Sequence, residues 1–251
     1  MAKIVKIKSE LKKNKNRALL KSVLFLVLFL VSLSIAAGVF FTNMNNITDL
    51  VVALTVIICI FFSFVFLVCF FAFRKEYHIL LSGVKGENNT REILKKLPKD
   101  FTVITNPVIQ NRGVTLELDF VVIGKNGVFI VESKNYRGIV CGKTSQPKWK
   151  QIKHGKGGNV YEKEVGNPLK QAHRQSRRMI EMFRDFQITA DIYPIVYFVD
   201  ARTELKIQDD ADLGVAVFNN EKQLLNYIVK TKGRQTVNNT ELAKVIRFFK
   251  R

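Results

Sequence analysis

Three residues whose types could act on a phosphate group lie near one another in the sequence: Asp119, Glu132 and Lys134. They belong to two β-rich runs, 116–123 (LELDFVVI) and 128–134 (VFIVESK). The intervening GKNG is typical of the turn of a β-hairpin. We therefore expect the two runs to pair as neighbouring antiparallel strands.

Two registers of this hairpin place the three residues on one face. A turn at Lys125-Asn126 puts Asp119 opposite Glu132, and a turn at Asn126-Gly127 puts Asp119 opposite Lys134. Side chains alternate between the faces of a sheet with a period of two, so both registers group the three side chains. Directly opposed carboxylates repel each other unless a cation lies between them.

A divalent metal is the cation that suits this pair best. Two carboxylates together with substrate phosphate oxygens suit Mg²⁺ or Mn²⁺, and a lysine ammonium adds a point charge for the phosphate or an attacking water. The pattern predicts a phosphodiester-cleaving site with Asp119 and Glu132 as metal ligands. The alternative is a solvated strand end, because Glu-x-Lys also occurs at 10–12, before the apolar runs, and at 204–206, in an expected loop.

The remaining segments predict a small α/β domain with a mixed sheet. Asn167 and Pro168 are typical of a helix start, as N-cap and first helical residue. We expect a Gly- and Lys-rich loop over 141–166. The other predicted elements are helices at 84–97, 169–183, 221–230 and 240–250 and strands at 101–105, 191–200 and 215–218.

The first part of the chain predicts a membrane anchor. Residues 22–42 and 50–73 are apolar on every face and free of charged side chains, and each is long enough to span a bilayer as a helix. Basic residues crowd the leader, 1–21, and follow the second run, whereas the linking loop carries only Asp49. The positive-inside rule then places both termini and the domain in the cytoplasm, on the inner face of the plasma membrane. The three cysteines show no spacing that predicts a disulfide or zinc site.

The charge of the domain predicts a polyanionic partner. The chain carries a net charge of +19, of which +13 lies in residues 74–251. Nucleic acid is the partner that best fits this excess of positive charge, and the anionic inner leaflet of the membrane is the second choice. Gln171, Arg174 or Gln175, and Arg178 share one side of the helix after Pro168. The candidate nucleic-acid-binding residues are Arg174, Arg177 and Arg178 on that helix and Lys148, Lys150 and Lys153 in the expected loop, where a solvated loop is the alternative.

The sequence resembles the nuclease-related domain (NERD) family of the PD-(D/E)XK nuclease superfamily over about 83–190. The resemblance is carried by Gly86-Glu87, Asp119, the run GVFIVESKNYRG at 127–138, Trp149, and Asn167-Pro168 with Gln171. It implies a restriction-endonuclease-like mixed sheet flanked by helices, with Asp119, Glu132 and Lys134 at the metal centre. It further implies Glu87 as an accessory carboxylate and Gln171 as a polar contact. The alternative for Glu87 is an acidic residue in the first turn of a helix, and the alternative for Gln171 is a solvated helix residue.

We therefore expect a membrane-anchored nuclease that depends on Mg²⁺ or Mn²⁺ and cleaves DNA or RNA with little sequence specificity. No base-reading module is visible in the sequence. The alternatives are a non-catalytic module that tethers nucleic acid or a partner to the membrane and, less favoured, a regulator that binds anionic lipid. The sequence leaves open the nucleic acid, the strandedness and the oligomeric state.

Overall fold

The computed structural model describes residues 1–7, 9–43, 49–155, 157–234 and 236–249. Most of the predicted linker between the apolar runs, 44–48, lies outside the described residues. The chain divides into two compact units, one formed by 10–84 and the other by 1–9 with 85–251. All three cysteines are free.

Within the described residues, helices and strands alternate irregularly along the chain. Their order is β1 (Lys3–Lys6), α1 (Glu10–Thr42), α2 (Leu50–Leu94), β2 (Thr102–Thr105), β3 (Val108–Asn111), β4 (Val114–Glu117), β5 (Phe120–Gly124), β6 (Gly127–Lys134), β7 (Ile139–Lys143), β8 (Lys148–His154), β9 (Val160–Gly166), α3 (Pro168–Asp185), β10 (Ile192–Phe198), β11 (Glu204–Gln208), β12 (Ala216–Phe218), α4 (Glu221–Lys230) and α5 (Asn239–Phe248).

The unit of residues 10–84 is built from two helices that are long and apolar enough to cross a bilayer. Only 6% of the most apolar window of each helix is buried, so most of their apolar surface faces outward. The Ser32 hydroxyl donates a hydrogen bond of 2.8 Å to the Cys59 carbonyl, which joins the two helices. These helices fit the predicted hairpin. The helix expected separately at 84–97 is the last part of α2, which continues to Leu94.

The other unit is organised around a six-stranded mixed sheet with the order β1-β2-β5-β6-β10-β12. Strands β2, β5 and β6 form an antiparallel meander, whereas β1, β10 and β12 each run parallel to their neighbour. Helices α3 and α5 cover one face of the sheet, and α4 with the end of α2 covers the other. The expected mixed α/β architecture is therefore confirmed.

The first strand of the sheet comes from the segment that the sequence analysis treated only as a basic leader. Lys3–Lys6 pairs in parallel with Thr102–Thr105. Two apolar residues, Ile4 and Val5, alternate across the pleat and pack against opposite faces of the sheet, while Lys3 and Lys6 are exposed. The residues ahead of α1 thus complete one edge of the domain.

The loop expected over 141–166 is wrong, because most of this segment forms strands. Strands β7, β8 and β9 are an antiparallel meander, and β11 adds in parallel, giving the order β11-β7-β8-β9. The anchor of this second sheet is Trp149, which is 1% exposed and packs with Leu169 and Ala172 of α3. Its indole N–H donates a hydrogen bond of 2.8 Å to the Lys143 carbonyl. The composition of this segment hid the sheet, since charged residues alternate with buried ones along β8 and nearly all residues of β9 are exposed.

Two smaller predictions also differ from the structure. The strand expected at 116–123 is divided, because Val114–Glu117 pairs with Val108–Asn111 in a separate ribbon and β5 begins only at Phe120. The segment around 204–206 is strand β11 of the second sheet and not a loop. The break before Phe120 is what leaves Asp119 at the end of a strand.

Candidate active site

The hairpin β5–β6 has its turn at Lys125-Asn126, the first of the two expected registers. Phe120 pairs with Val131, so the same register carried one residue further sets Asp119 opposite Glu132. The side chains of Val121 and Ile130 point to the face that is covered by α3. By alternation, Asp119, Glu132 and Lys134 lie on this same face.

Asp119 is fixed by backbone groups on both sides. The Ser133 N–H donates a hydrogen bond of 2.8 Å to Asp119 Oδ2, and the Asn106 N–H donates one of 2.8 Å to the Asp119 carbonyl. Protein atoms crowd around the carboxylate, although part of its surface reaches solvent. This burial, together with the negative charge of Glu132, raises the pKa of Asp119 to about 8.

Glu132 is buried and accepts hydrogen bonds from three side chains. Its Oε1 accepts from Lys134 Nζ at 2.7 Å and from Gln171 Nε2 at 2.8 Å. Its Oε2 accepts from Gln175 Nε2 at 3.0 Å. A carboxylate that is only 3% exposed is expected to be paired in this way. The pairing fixes the direction in which each of its oxygens points.

Lys134 is held between strand β6 and helix α3. Its ammonium donates to Glu132 and also to Gln171 Oε1, the latter at 3.1 Å. Burial alone would lower the pKa of Lys134, but the charge and hydrogen bond of Glu132 raise it above its ordinary value. The side chain is 19% exposed, so a charged ammonium is presented at the edge of the site.

Glu87, near the end of α2, joins the same group of residues through Asn106. Its Oε2 accepts hydrogen bonds from Asn106 Nδ2 at 3.2 Å and from Ser9 Oγ at 3.3 Å. The Glu87 charge contributes to the raised pKa of Asp119. Asn106 adopts a left-handed backbone with φ of 53°, which asparagine tolerates better than most residues. Asn106 thereby contacts both acidic residues at once.

The last turns of α2 pack closely against the end of β6. Thr90 Oγ1 and Ser133 Oγ share a hydrogen bond of 2.7 Å. A Cβ on Gly86 would come within 2.7 Å of the Asn135 Cβ, so only glycine allows this approach. These contacts position Glu87 relative to the strand that carries Glu132.

The residues present fit a divalent metal. Among the described residues no three His, Cys, Asp or Glu side chains are grouped as metal ligands. Mg²⁺, however, commonly uses one or two carboxylates with waters and substrate phosphates. A carboxylate has about four acceptor positions, and the hydrogen bonds above occupy one on Asp119 and three on Glu132. Both residues therefore retain acceptor capacity. Burial and then the charge of Glu132 raise the pKa of Asp119, and a bound cation would offset that charge.

An unpaired amide oxygen further supports this fit. Gln175 is 8% exposed, and its Oε1 is buried without a partner among the described residues. The amide cannot simply be reversed, because Nε2 donates both to Glu132 and, at 3.2 Å, to the Glu117 carbonyl. Covalent geometry keeps Oε1 within about 5 Å of Glu132 Oε2. If Asp119 and Glu132 hold a metal, this oxygen would be available to accept a hydrogen bond from a water near it.

The three predicted arginines, Arg174, Arg177 and Arg178, are exposed residues of α3. No ion pair involves them within the described part of the chain. At about 100° per residue, Arg174 and Arg178 lie within about 60° of the direction of Gln171, whereas Arg177 lies about 120° away. Arg174 and Arg178 therefore flank the side of α3 that contacts Glu132.

The three predicted lysines lie on β8 and not in a loop. Lys148 pairs with Glu164 at 2.9 Å and Lys150 with Glu162 at 3.5 Å, both across to β9. Lys153 is exposed and pairs in register with Tyr161. Two of these lysines thus already have acidic neighbours, unlike the arginines of α3.

Gln175, Asn106 and Ser9 were missed as site residues by the sequence analysis. The helical spacing did signal Gln175, since it follows Gln171 by four residues on the same side of α3. Nothing in the sequence places Asn106 or Ser9 near Glu87, because these contacts span 19 and 78 residues along the chain. They depend on how strands β1 and β2 lie beside α2.

The family comparison matches this part of the chain to one family model, described as "Nuclease-related domain", over residues 82–199. Residues 82–199 form a nuclease-related domain. This NERD domain includes Glu87, Asp119, Glu132, Lys134 and Gln171, and it extends slightly beyond the expected range of 83–190. A nuclease-like fold is therefore shown for the region that contains the candidate site.

Similarity to other proteins covers only part of the chain. An uncharacterized protein of Bacillus anthracis is 38% identical over 71 residues, which cover 28% of this chain and 34% of that protein. The match thus spans about a third of that relative's length. No solved structure matches the chain.

Proposed function

We propose that this protein is a membrane-anchored nuclease that hydrolyses phosphodiester bonds of DNA or RNA with Mg²⁺ or Mn²⁺. One observation carries the proposal: within a NERD domain, Asp119, Glu132 and Lys134 converge on one face of a hairpin under helix α3. A module that only binds nucleic acid has no need of two neighbouring carboxylates, one buried and one partly buried, beside a lysine.

In this proposal each side chain has a distinct task. Asp119 and Glu132 hold the metal, which when bound polarises the phosphate and lowers the pKa of an attacking water. Lys134 places a positive charge where negative charge develops on the phosphate. Gln171 fixes both Glu132 and Lys134, because its amide bonds to each of them. Glu87 is proposed as an accessory carboxylate, acting next to Asp119 through Asn106.

The membrane part of the proposal rests on the two apolar helices and on strand β1. Residues 1–9 and 85–251 belong to one compact unit, so they must lie on the same side of a membrane. An even number of spans between them meets this requirement, as α1 and α2 would provide. With the charge pattern of the chain, the positive-inside rule favours the cytoplasmic side for this unit.

A second candidate function is a tether that binds nucleic acid without cleaving it. It is favoured by the exposed arginines of α3 and by the net charge of +19. Both functions require a polyanionic partner, and only the nuclease requires the two neighbouring carboxylates.

The experiment is cleavage of labelled single- and double-stranded DNA and RNA by the full chain in detergent, with Mg²⁺, Mn²⁺ or EDTA. The full chain is required because a version that starts after the apolar helices would lack β1. The test variants are Asp119→Asn and Lys134→Gln. Matched controls are Asp100→Asn and Lys125→Gln, which alter exposed residues at turns away from the site.

Cleavage that requires metal and disappears in both test variants but not in the controls supports the nuclease. Both variants should keep the wild-type circular dichroism spectrum. If the folded wild type binds nucleic acid yet cuts none of the four substrates, the catalytic proposal fails and the tether becomes the better account.

A further inference from the structure

We propose that Arg137 and Arg202, joined through Asp200, bind a backbone phosphate of the nucleic acid next to the one that is cleaved. The inference rests on the proposed function, because it names the group that positions the substrate at that site. Both arginines lie within the same compact unit as the candidate site.

The backbone places this pair directly beyond Lys134. Strands β6 and β10 run in parallel with Lys134 opposite Phe198, and the Val199 N–H donates a hydrogen bond of 3.0 Å to the Lys134 carbonyl. Asp200 is the next residue along the chain. Arg137 follows Lys134 by three residues, so their Cα atoms are at most about 11 Å apart.

Asp200 holds the two guanidinium groups together. It accepts two hydrogen bonds from the Arg202 guanidinium, Nε to Oδ1 at 2.9 Å and Nη2 to Oδ2 at 2.8 Å, and one of 3.1 Å from the Arg202 backbone N–H to Oδ1. Arg137 Nε lies 3.5 Å from the same Oδ2. The hydrogen bonds and charge of Arg202 lower the pKa of Asp200 to about 2, so the carboxylate stays ionised at neutral pH.

The segments that carry the arginines are fixed to each other as well. Thr203 Oγ1 donates a hydrogen bond of 2.7 Å to the Tyr136 carbonyl, and the Glu204 N–H donates one of 3.0 Å to the Gly138 carbonyl. Two arginines on one aspartate leave a net charge of +1. The side chains remain 70% and 82% exposed for Arg137 and Arg202, so their outer N–H groups face solvent.

A phosphodiester group is the ligand that this arrangement suits. Guanidinium groups present paired N–H donors that match phosphate oxygens, and orienting them in advance lowers the entropy lost on binding. If the scissile phosphate binds at Lys134, as the proposed function has it, this pair beyond the end of β6 would meet a neighbouring phosphate of the same strand. The contact is to the backbone and therefore carries no base preference.

The test measures binding separately from cleavage. The full chain carrying Asp119→Asn is titrated with a fluorescent oligonucleotide in EDTA over a range of salt concentrations. Arg137→Gln and Arg202→Gln are added to it singly, with Lys125→Gln as the control that removes one charge at the opposite end of β6. Each arginine variant should weaken binding about 3- to 10-fold and reduce the salt slope by about 1, and the control should change neither.

Two further variants separate a positioned pair from bulk charge. Arg202→Lys keeps the charge but loses the paired N–H donors, and it should bind more weakly. Asp200→Asn raises the net charge by one and should nevertheless weaken binding, whereas bulk charge alone would strengthen it. Thermal unfolding of each variant checks that the domain remains folded.

Arginine variants that bind as tightly as the control, or a tighter Asp200→Asn variant, would overturn the inference. Its failure is distinguishable from failure of the nuclease proposal. A protein that never cleaves but shows the expected binding pattern keeps the phosphate site and loses the catalytic role. If the wild type cleaves normally and neither arginine variant changes binding, the nuclease proposal is kept and the phosphate site is lost.

Discussion

The Ser133 N–H donates a hydrogen bond of 2.8 Å to the Asp119 carboxylate, across the ends of two neighbouring strands. This bond ties Asp119 to the strand segment in which Glu132 and Lys134 flank Ser133. The two carboxylates are therefore kept close in spite of their like charge. Burial, together with the nearby charge of Glu132, raises the pKa of Asp119 to about 8.

The first prediction concerns stability as a function of pH without divalent metal. The pKa of Asp119 is about 8 in the folded protein and about 3.9 in an unfolded chain, so the folded state binds more protons between these values. The free energy of unfolding should therefore fall as pH rises from 4 to 8, by a few kcal/mol at most. Asp119→Asn should remove most of this fall.

Thermal unfolding of the full chain in EDTA, at several pH values between 5 and 9, tests this effect. The difference between wild type and Asp119→Asn isolates the one group from other titrating residues. Added Mg²⁺ should raise the wild-type midpoint most at high pH and leave the variant nearly unchanged. Equal pH slopes in the two proteins would contradict the account of Asp119.

Gln171 should act by positioning Lys134 and Glu132. We expect Gln171→Ala to lower kcat about 10- to 100-fold with a small change in KM, because binding of the substrate backbone does not depend on this amide. Gln171→Glu should be worse, since a carboxylate would face Glu132 without the amide's N–H donors. The measurement is steady-state cleavage, and a fall confined to KM would argue against positioning.

The arginines of α3 should contribute more to nucleic-acid binding than the lysines of β8. Arg174 and Arg178 have no acidic partner in the described part of the chain, whereas Lys148 and Lys150 pair with glutamates of β9. Arg174→Gln or Arg178→Gln should each reduce the salt slope of binding by about 1. Lys148→Gln and Lys150→Gln should each reduce it less, and the reverse order would refute this ranking.

Strand β1 should be required for the stability of the domain. Val5 packs against the core beneath α3 and α5, and Ile4 packs against the opposite core. An aspartate at either position would place a charge against apolar side chains and should cost about 1 to 3 kcal/mol of stability. Lys6→Asp, on the exposed part of the same strand, is the matched control. Thermal unfolding of the full chain compares the three, and equal midpoints would show that β1 is dispensable.

The hairpin that carries the candidate site could be predicted because its signals are local. The turn composition and the period of two fix which side chains share a face, and the structure selected the first of two registers. The helix after Pro168 was equally visible, since Asn167 accepts hydrogen bonds from Leu169 and Lys170 as an N-cap. Local geometry alone decides features of this kind.

The second sheet was not predicted because much of it faces solvent: β8 alternates exposed and buried residues, and almost all of β9 is exposed. Charged residues on the exposed faces of β8 and β9 give this segment the composition of a loop. What identifies it as a sheet is the burial of Trp149 against α3, and that contact involves residues distant in sequence. Tertiary packing, not local composition, determines the structure of this segment.

The sequence by itself determined the apolar helices, the order of most elements and the placement of Asp119, Glu132 and Lys134 on one face of a hairpin. These features follow from hydrophobicity, turn residues and the alternation of side chains along a strand. Only the tertiary structure decided that residues 3–6 complete the sheet, that Gln175 joins Gln171 on Glu132, and that Glu87 contacts Asn106. These relationships are pairings between segments far apart along the chain. They form because buried strands and carboxylates must find partners once the core excludes water.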